Sequence, residues 1–287
     1  MALYVFMLKI NTESLKWLAL PLAFCLLLLY ACNEPRKACL DIEATNFDAA
    51  ADEDCCCEYP QLRIDSLLPR FGTLVWKPDT AYEYSPGKWV RMKSIVYYVS
   101  DMQLYQNGAP VAVSDTLPFK SWGASGDTVN VTLINDFQVV RRSSTAYTMG
   151  TFRPGGDFES VQFRVGVPAA AQAVIPGLAP ANHPLRLQPE NLWRGRDTGY
   201  VALQLILTRD TLSTTQPDTL VIGRPDLDNI LIKKDGLFRH ESGYDFLLRV
   251  RADYRELFRD VDLSNPDILQ WKSQIVANLP NVFHVYQ

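Results

Sequence analysis

The chain has 287 residues, of which 47% are hydrophobic, and its formal net charge at pH 7 is −4. This hydrophobic content is ordinary for a globular protein with a substantial core. The weak negative charge, without a basic stripe or an arginine-rich run, gives no reason to expect nucleic acid, and we predict no such partner.

The N-terminal segment has the pattern of an export signal. Lys9 and Lys16 precede an uncharged, mostly apolar run of 15 residues from Trp17 to Ala31. A membrane-spanning helix needs about 20 apolar residues, so this run is too short to span a bilayer comfortably. A basic start, a short apolar run and a small residue before a boundary are typical of a secretory signal.

The apolar run ends in the sequence LYAC, in which Ala31 precedes Cys32. This sequence resembles the lipobox of bacterial lipoproteins, where the cysteine is diacylated before the signal is cleaved. The resemblance implies a signal peptide over residues 1–31 and a lipid anchor at Cys32 that holds the mature protein at a membrane. Asn33 is not the aspartate associated with inner-membrane retention, so we expect an outer membrane lipoprotein.

Residues 32–60 form a small acidic segment before a main domain over 61–287. From Cys39 to Pro60 the segment holds four of the six cysteines and seven carboxylates, with no Lys or Arg. An even number of cysteines in an exported chain suggests disulfides. We therefore interpret 32–60 as a lipid-anchored spacer that disulfides staple.

The acidic spacer is also a candidate metal site. Asp48, Asp52 and Asp54 offer the hard oxygen ligands that suit calcium. The glycine that lets a calcium loop turn sharply is absent, and a soft-metal thiolate site is a further alternative. Calcium is thus a candidate cofactor of the spacer, beside the interpretation that its aspartates are simply solvated.

Four cysteines of the spacer allow three disulfide pairings. Neighbouring Cα atoms are about 3.8 Å apart, below the roughly 4.4 Å minimum of an ordinary disulfide, so bonds of Cys56 to Cys55 or Cys57 would be strained. Geometry favours Cys39–Cys56 with Cys55–Cys57. The segment also resembles a short motif of Gram-negative lipoproteins and surface proteins, matched here from Cys39 to Tyr59. That resemblance implies a Cys39–Cys57 disulfide, with Cys55 and Cys56 left as a vicinal bond or two thiols.

The main domain shows the period-two alternation of half-buried strands. Apolar residues alternate with others from Val161 to Val167 and from Val201 to Leu207, and the stretches 128–133, 245–254 and 282–287 behave similarly. Turn signals such as QNGAP, RPGGD and KKDG separate them. Strands without intervening helices predict an all-β fold, an antiparallel β-sandwich.

One C-terminal helix interrupts the strand pattern. Asn265 is the predicted N-cap and Pro266 suits the first helical position. Four apolar residues fall on one face and are expected to pack against the core: Ile268, Trp271, Ile275 and Leu279.

Signatures of enzymes are missing from the sequence. No nucleophile elbow, phosphate-binding Gly-Lys loop or His-Glu-x-x-His helix occurs. The three histidines are His183, His240 and His284, and a carboxylate-pair glycosidase, which needs no signature, has nothing specific in its favour. We predict that the protein is not an enzyme.

Four blocks in order resemble the MbnP-like copper-binding domain family of bacterial exported proteins. They are Ile95–Val111, with its Tyr-Tyr strand, Val161–Pro168, Asn182–Leu205, with His-Pro-Leu and then Gly-Tyr, and Phe238–Gly243. The resemblance extends over about residues 62–287 and implies the fold of that family.

The same resemblance implies copper as the cofactor, with His183 and His240 as metal ligands that meet at one end of the sandwich. Imidazole suits copper, and Trp193 or Glu241 could supply a third contact. Family members typically carry Trp-x-Trp before Gly-Tyr, whereas this chain keeps only Trp193 at that place.

We therefore predict a membrane-anchored lipoprotein that binds copper or takes part in copper handling at the cell envelope. The alternative is a non-metal binding module that presents its loops to a glycan or protein ligand. The partner would be a protein or a small metal-chelating ligand, and the sequence leaves its identity, the orientation of the protein and its oligomeric state open.

Overall fold

The computed structural model describes residues 34–142, 145–212, 214–223, 231–265 and 267–287. The predicted signal peptide, Cys32 and Pro266 lie outside these residues. The chain forms two compact units: the smaller includes residues 34–41 and 46–57, and the larger includes 42–45 and the chain from Glu58 onward. In the described part of the chain, no helix is both long enough and apolar enough to cross a membrane.

The described elements are mostly strands. The strands are β1 Lys37–Ala38, β2 Glu53–Asp54, β3 Gln61–Phe71, β4 Leu74–Val75, β5 Thr80–Ser85, β6 Lys88–Gln106, β7 Ala109–Ala112, β8 Thr116–Trp122, β9 Thr128–Ile134, β10 Gln138–Val140, β11 Tyr147–Thr151, β12 Gly156–Val165, β13 Val201–Thr208, β14 Asp218–Gly223, β15 Leu231–His240, β16 Phe246–Asp253 and β17 Phe283–Tyr286, and the α-helix α1 is Ile268–Val282.

Two sheets of the larger unit form the sandwich. One has eight strands in the order β14-β13-β6-β12-β15, with β5, β7 and β10 also paired to β6; the other has five in the order β11-β3-β16-β17, with β4 on β3. Apolar side chains of both sheets, such as Tyr97 and Val161 from one and Ile64 and Leu248 from the other, belong to one buried cluster. The predicted sandwich is confirmed, and its pairs are antiparallel within the described residues except for the parallel pair β3–β16.

A second apolar cluster lies beneath the β8–β9 hairpin. It includes Phe119, Phe137, Leu185 and Tyr200, all buried. The Tyr200 hydroxyl donates a hydrogen bond of 2.6 Å to the Leu185 carbonyl, which fixes the 182–200 segment against this cluster. This cluster is where the structure places His183.

The C-terminal helix begins two residues later than its predicted cap. The N-cap is Asp267, whose carboxylate accepts a hydrogen bond from the Leu269 N–H, and not Asn265. Asn265 instead accepts from the Asp267 N–H through its side chain. Trp271, Ile275 and Leu279 are buried as predicted, whereas Ile268 is 40% exposed because the helix has only begun there.

The stretch KKDG is not a turn. Residues 233–236 lie inside β15, which continues to His240, and the register shifts where Phe158 and Ser160 pair with Phe238 and Asp235. A β-bulge therefore absorbs the extra residues around Gly236, which is a common place for glycine in a strand. His240 is thus the last residue of a strand and not part of a turn.

Candidate functional site

The imidazole of His183 is held in one orientation by two hydrogen bonds. Its Nδ1 accepts from the Leu185 N–H at 3.1 Å, and its Nε2 lies 2.9 Å from Oδ1 of Asn135. Because Nδ1 accepts from an amide, the ring proton is on Nε2 and the ring is neutral. Burial lowers the pKa of His183 to about 4, so the neutral form persists at physiological pH.

The backbone around His183 is fixed by its local sequence. Asn182 has a φ of 63°, in the left-handed region that asparagine tolerates, and Pro184 restricts the residue before it. The Pro184 carbonyl accepts hydrogen bonds from the Tyr98 hydroxyl at 3.1 Å and from the Gln188 amide at 2.9 Å. The His183 ring also contacts Phe119 edge-on, with ring centroids 4.9 Å apart.

His183 lines a cleft of about 340 Å³. The polar side chains of this His183 cleft are Gln61, Asp115, Asn135, Gln138, Thr148, Asn182 and His183. A carboxylate oxygen of Asp115 accepts from the Thr151 N–H at 2.6 Å. Gly150 makes room for that carboxylate, because a Cβ there would lie 2.8 Å from it. The cleft is therefore a concave surface with amide groups, one carboxylate and one neutral imidazole.

His240 has a different environment. Its Nδ1 lies 2.7 Å from the Pro154 carbonyl oxygen and its Nε2 lies 2.7 Å from the Tyr244 carbonyl oxygen. The ring is stacked on Phe246, with centroids 5.0 Å apart, and is 4% exposed. Both ring nitrogens of His240 therefore face carbonyl oxygens of the protein, and neither is directed at an open cleft.

The two histidines have separate partners. No hydrogen bond or ring contact of the described residues joins them: His183 is bonded to Leu185 and Asn135, and His240 faces the carbonyls of Pro154 and Tyr244. Gly150 lines the His183 cleft, and Phe152, two residues further along the chain, contacts the His240 ring with centroids 5.6 Å apart. The shared histidine site therefore stays a prediction.

Trp193 and Glu241, the two predicted alternatives for a third contact, have different environments. Trp193 stacks on Trp122, with centroids 5.7 Å apart, in the second apolar cluster, and its ring nitrogen is shielded without a partner. Glu241 is exposed and follows β15. Trp193 thus belongs to the same cluster as the residues around His183, whereas Glu241 follows His240.

In the smaller unit Cys39 and Cys57 form a disulfide, and Cys55 and Cys56 are thiols. The pairing that the motif implies is confirmed, and the Cys39–Cys56 pairing favoured by geometry alone is wrong. Asp54 lies beside the disulfide, and these three residues are the one group of three metal-ligand side chains in the described part of the chain. Disulfide sulfurs are not thiolates, so this group is not suited to a metal.

Calcium is unsupported by the arrangement of the three aspartates. Asp48 is paired with Arg36 at 2.6 Å, Asp52 accepts from the Arg36 N–H, and Asp54 accepts from the Leu40 N–H. Each carboxylate is used by a different donor of the protein. The aspartates therefore satisfy local backbone groups and do not converge on one ion.

The described chain is a β-sandwich with a concave cleft at His183. The chain matches the model of the MbnP family over residues 69–273, more than half of its length, and belongs to that family. It is also similar to the structure of MbnP from Methylosinus trichosporium, with a TM-score of 0.45 and 12% identity, over 78% of this chain and 97% of that one. No curated protein matches the sequence. The predicted family is confirmed.

Sequence reasoning missed Asn135 and Asp115, which line the His183 cleft. Asp115 directly precedes β8 and Asn135 directly follows β9. The Asn135 N–H donates to the Asp115 carbonyl at 2.9 Å. Isolated polar residues at strand ends have no distinctive spacing. Only the hairpin pairing, from Thr116 with Ile134 onward, brings them to one edge.

Proposed function

We propose that this protein is a membrane-anchored, non-enzymatic binding protein of the cell envelope and that its ligand site is the His183 cleft. The observation that carries the proposal is the neutral imidazole of His183 at the wall of a polar cleft. A neutral imidazole needs no net loss of a proton to become a ligand, but His183 would have to move its ring proton from Nε2 to Nδ1. Family membership gives the reason to test copper first.

Copper binding by His183 would require a change of tautomer. The proton that Nε2 holds towards Asn135 would have to leave that nitrogen and be taken up at Nδ1, and the Leu185 N–H would lose its acceptor. The cleft lining contains no second histidine and no cysteine or methionine. A copper ion here would therefore need a donor from outside the cleft, such as a small chelating ligand that carries the metal.

The test is a competition titration of the purified full chain with copper(I) and a chromophoric chelator. The free thiols Cys55 and Cys56 would also take copper(I), so the titration uses a Cys55→Ser, Cys56→Ser background. We expect His183→Ala to weaken binding, while His284→Ala, which removes an exposed histidine, serves as the matched control. Equal binding by all histidine variants would end the copper proposal for this cleft.

His240→Ala separates the present proposal from the predicted histidine pair. If both histidines held the ion, this variant would weaken copper binding as much as His183→Ala does. Because both ring nitrogens of His240 face carbonyls, we expect it to lower stability and to leave the affinity of the folded fraction unchanged. Circular dichroism melting, measured on the same samples, distinguishes loss of fold from loss of ligand.

A non-metal ligand is the second candidate. The amides of Gln61, Gln138 and Asn182 give the His183 cleft donors and acceptors that suit the hydroxyls or amides of an organic ligand. A ligand of this kind would bind to metal-free protein. Binding that persists after chelation of metals would favour it over copper.

Membrane attachment rests on the sequence LYAC ending at Cys32. Two or three acyl chains hold a protein far better than one, since each buried CH₂ contributes about 0.8 kcal/mol. Replacing Cys32 with Ser is expected to release the protein from membranes. Incorporation of labelled fatty acid into that variant would contradict the lipid anchor.

A further inference from the structure

The solvent side of the five-stranded sheet carries a row of arginines. Along β16 the side chains alternate, so that Leu248 and Val250 are buried while Leu247, Arg249 and Arg251 are exposed. Side chains of alternate residues share one face of a strand. Arg249 and Arg251 therefore project together into solvent, about 7 Å apart along the strand.

Neighbouring strands extend this row. Arg249 pairs with Tyr286 of β17, Arg251 pairs with His284, and Asp253 pairs with Arg70 of β3. We call this surface the arginine face and define it by Arg70, Arg249, Arg251, His284 and Tyr286. Cross-strand partners lie on the same side of a sheet, so these side chains form one continuous surface.

Three arginines of the arginine face are not ion-paired. Within the described residues, Arg70, Arg249 and Arg251 take part in no ion pair. Glu256 is close enough to act on His284 but is paired with Arg259. Asp253, the acid in the register of this face, accepts hydrogen bonds from the Gly72 and Arg255 N–H groups. Asp65 of β3 is exposed at a register shift and is joined to none of these arginines.

His284 lies among charges of both signs. Its pKa is lowered from the ordinary value first by burial and then by the charges of Arg251 and Lys234, while Asp253 and Glu256 raise it. The positive charge of this face is therefore that of its guanidinium groups, with Asp253 as an acid in the same register.

A cleft of about 590 Å³ adjoins the arginine face at Arg251. Arg255, Trp89 and Leu74 also line this cleft. Trp89 is 41% exposed and Leu74 is 60% exposed. Glu83, the cross-strand partner of Trp89, and Asp253 line the same cleft, so two carboxylates accompany Arg251 and Arg255 there. The cleft offers an apolar plane at Trp89 and a cationic donor at Arg251, where it meets the arginine face. We call it the Trp89 cleft; a polymer chain can enter this concave surface, whereas a flat bilayer cannot.

We propose that the arginine face and the Trp89 cleft bind an acidic polysaccharide, a polymer whose sugars carry carboxylates. The planar fork of a guanidinium matches a carboxylate through two parallel hydrogen bonds, which a lysine cannot do. Trp89 offers an apolar plane to a sugar ring, and the regular spacing of Arg249 and Arg251 suits a repeating anion. Since the whole chain is net negative, attraction of a polyanion needs a local positive surface such as this face. The surface is separate from the His183 cleft and does not depend on the function proposed there.

The test measures binding of polygalacturonate to the purified full chain by isothermal titration calorimetry. Dextran is the neutral polymer and inorganic polyphosphate is the non-sugar polyanion. We expect polygalacturonate to bind in a salt-dependent manner and more tightly than either comparator. Equal binding of dextran would show that charge plays no role in recognition. Equal or tighter binding of polyphosphate would show that the surface binds any polyanion, or prefers phosphate, and would contradict the acidic polysaccharide.

Charge-matched variants assign the site. The double variant Arg249→Gln, Arg251→Gln should weaken polygalacturonate binding about ten-fold or more, since it removes charge-assisted hydrogen bonds. Arg194→Gln, Arg196→Gln removes the same charge at two exposed positions with the same spacing, before β13, and is expected to bind normally. Equal losses in both double variants would overturn the assignment.

Single variants and a tryptophan variant complete the design. If the double variant of β16 fails to fold, Arg249→Gln and Arg251→Gln are measured separately, since each leaves one exposed guanidinium in place. Trp89→Ala should weaken polygalacturonate binding and leave polyphosphate binding unchanged. If Trp89→Ala changed the binding of neither polymer, recognition would depend on charge alone, which would contradict a sugar ligand.

Discussion

At the scale of single residues, the two buried histidines show how hydrogen-bond partners decide what an imidazole can do. His183 has an amide donor on one nitrogen and the Asn135 oxygen at the other, which fixes a neutral tautomer beside a cleft. His240 has carbonyl oxygens at both nitrogens. The first arrangement leaves a neutral ring that can donate its Nε2–H to a ligand in place of Asn135, and in the second both nitrogens face backbone carbonyls of the protein.

His240→Ala is expected to lower the free energy of unfolding by about 2–4 kcal/mol, because it removes a buried ring that bonds to the backbone of the 154 and 244 loops and opens a space beside Phe246. Urea unfolding checks this value. The exposed His284→Ala should cost far less. A loss no greater than that of the control would show that His240 is not a structural tie.

His183 and Asp136 make opposite contributions to the pH dependence of stability. Burial lowers the pKa of His183 to about 4, so its contribution is complete above its ordinary pKa and is lost as the pH falls towards about 4. Burial raises the pKa of Asp136 to about 6, so its contribution is present at low pH and is lost as the pH rises through about 6. Between about pH 4 and 6 the two contributions offset each other.

A variant that lacks one of the two groups should therefore show the pH dependence of the unfolding free energy that the other group causes. From about pH 4 to 6, stability is expected to fall with pH in His183→Gln more than in the parent, and to rise with pH in Asp136→Asn. Urea unfolding across this range measures both slopes. If unfolding free energy plotted against pH gave parallel curves for the parent and both variants, His183 and Asp136 would not make opposite contributions.

At the scale of elements, the start of α1 depends on which polar side chain reaches a free N–H. Asp267 bonds to the Leu269 N–H, while Asn265 bonds to the N–H of Asp267, outside the helix. Both residues are good N-caps by type, so composition alone does not choose between them. The anchor of Trp271, whose ring N–H donates to the Asn265 carbonyl, sets the position of the first turn.

Asp267→Ala should destabilise the protein by about 0.5–2 kcal/mol, the usual cost of losing an N-cap. Asn265→Ala is the matched control and is expected to cost less, because the Asn265 carbonyl that Trp271 uses remains. Urea unfolding followed by tryptophan fluorescence measures both. A larger loss for Asn265→Ala would place the effective cap at that residue.

At the scale of the whole molecule, the two compact units differ in how they are stabilised. The larger has an apolar core that both sheets share, while the smaller has two strands of two residues each and a disulfide across a separation of 18 residues. A disulfide that closes a loop of this length stabilises the folded state by about 3 kcal/mol. Because both cysteines lie in the smaller unit, we expect this stabilisation to act on that unit.

Cys39→Ser, Cys57→Ser should therefore unfold the small unit and leave the melting of the larger unit nearly unchanged. Tryptophan fluorescence reports the larger unit, since the described part of the smaller one contains no tryptophan. Amide hydrogen exchange reports the smaller one. A fall of tens of degrees in the fluorescence melting temperature would show that the disulfide also stabilises the sandwich.

Local pattern was sufficient for much of the fold. The alternation over Val201–Thr208 and Phe246–Asp253 and the apolar stripe of α1 predicted elements that the structure contains, because side-chain periodicity depends on neighbouring residues alone. The motif around Cys39 and Cys57 gave the disulfide, and four short blocks gave the family. Each of these follows from residues close together in the chain.

Only the tertiary structure decided what the histidines contact and which charges remain unpaired. The partner of His240, Pro154, is 86 residues away, and Asn135 is 48 residues from His183. The parallel pairing of β3 with β16, which aligns Arg70 with Asp253, joins residues from opposite ends of the main domain. Such contacts depend on sheet register, and register is set by the packing of the whole core, which no short stretch of sequence contains.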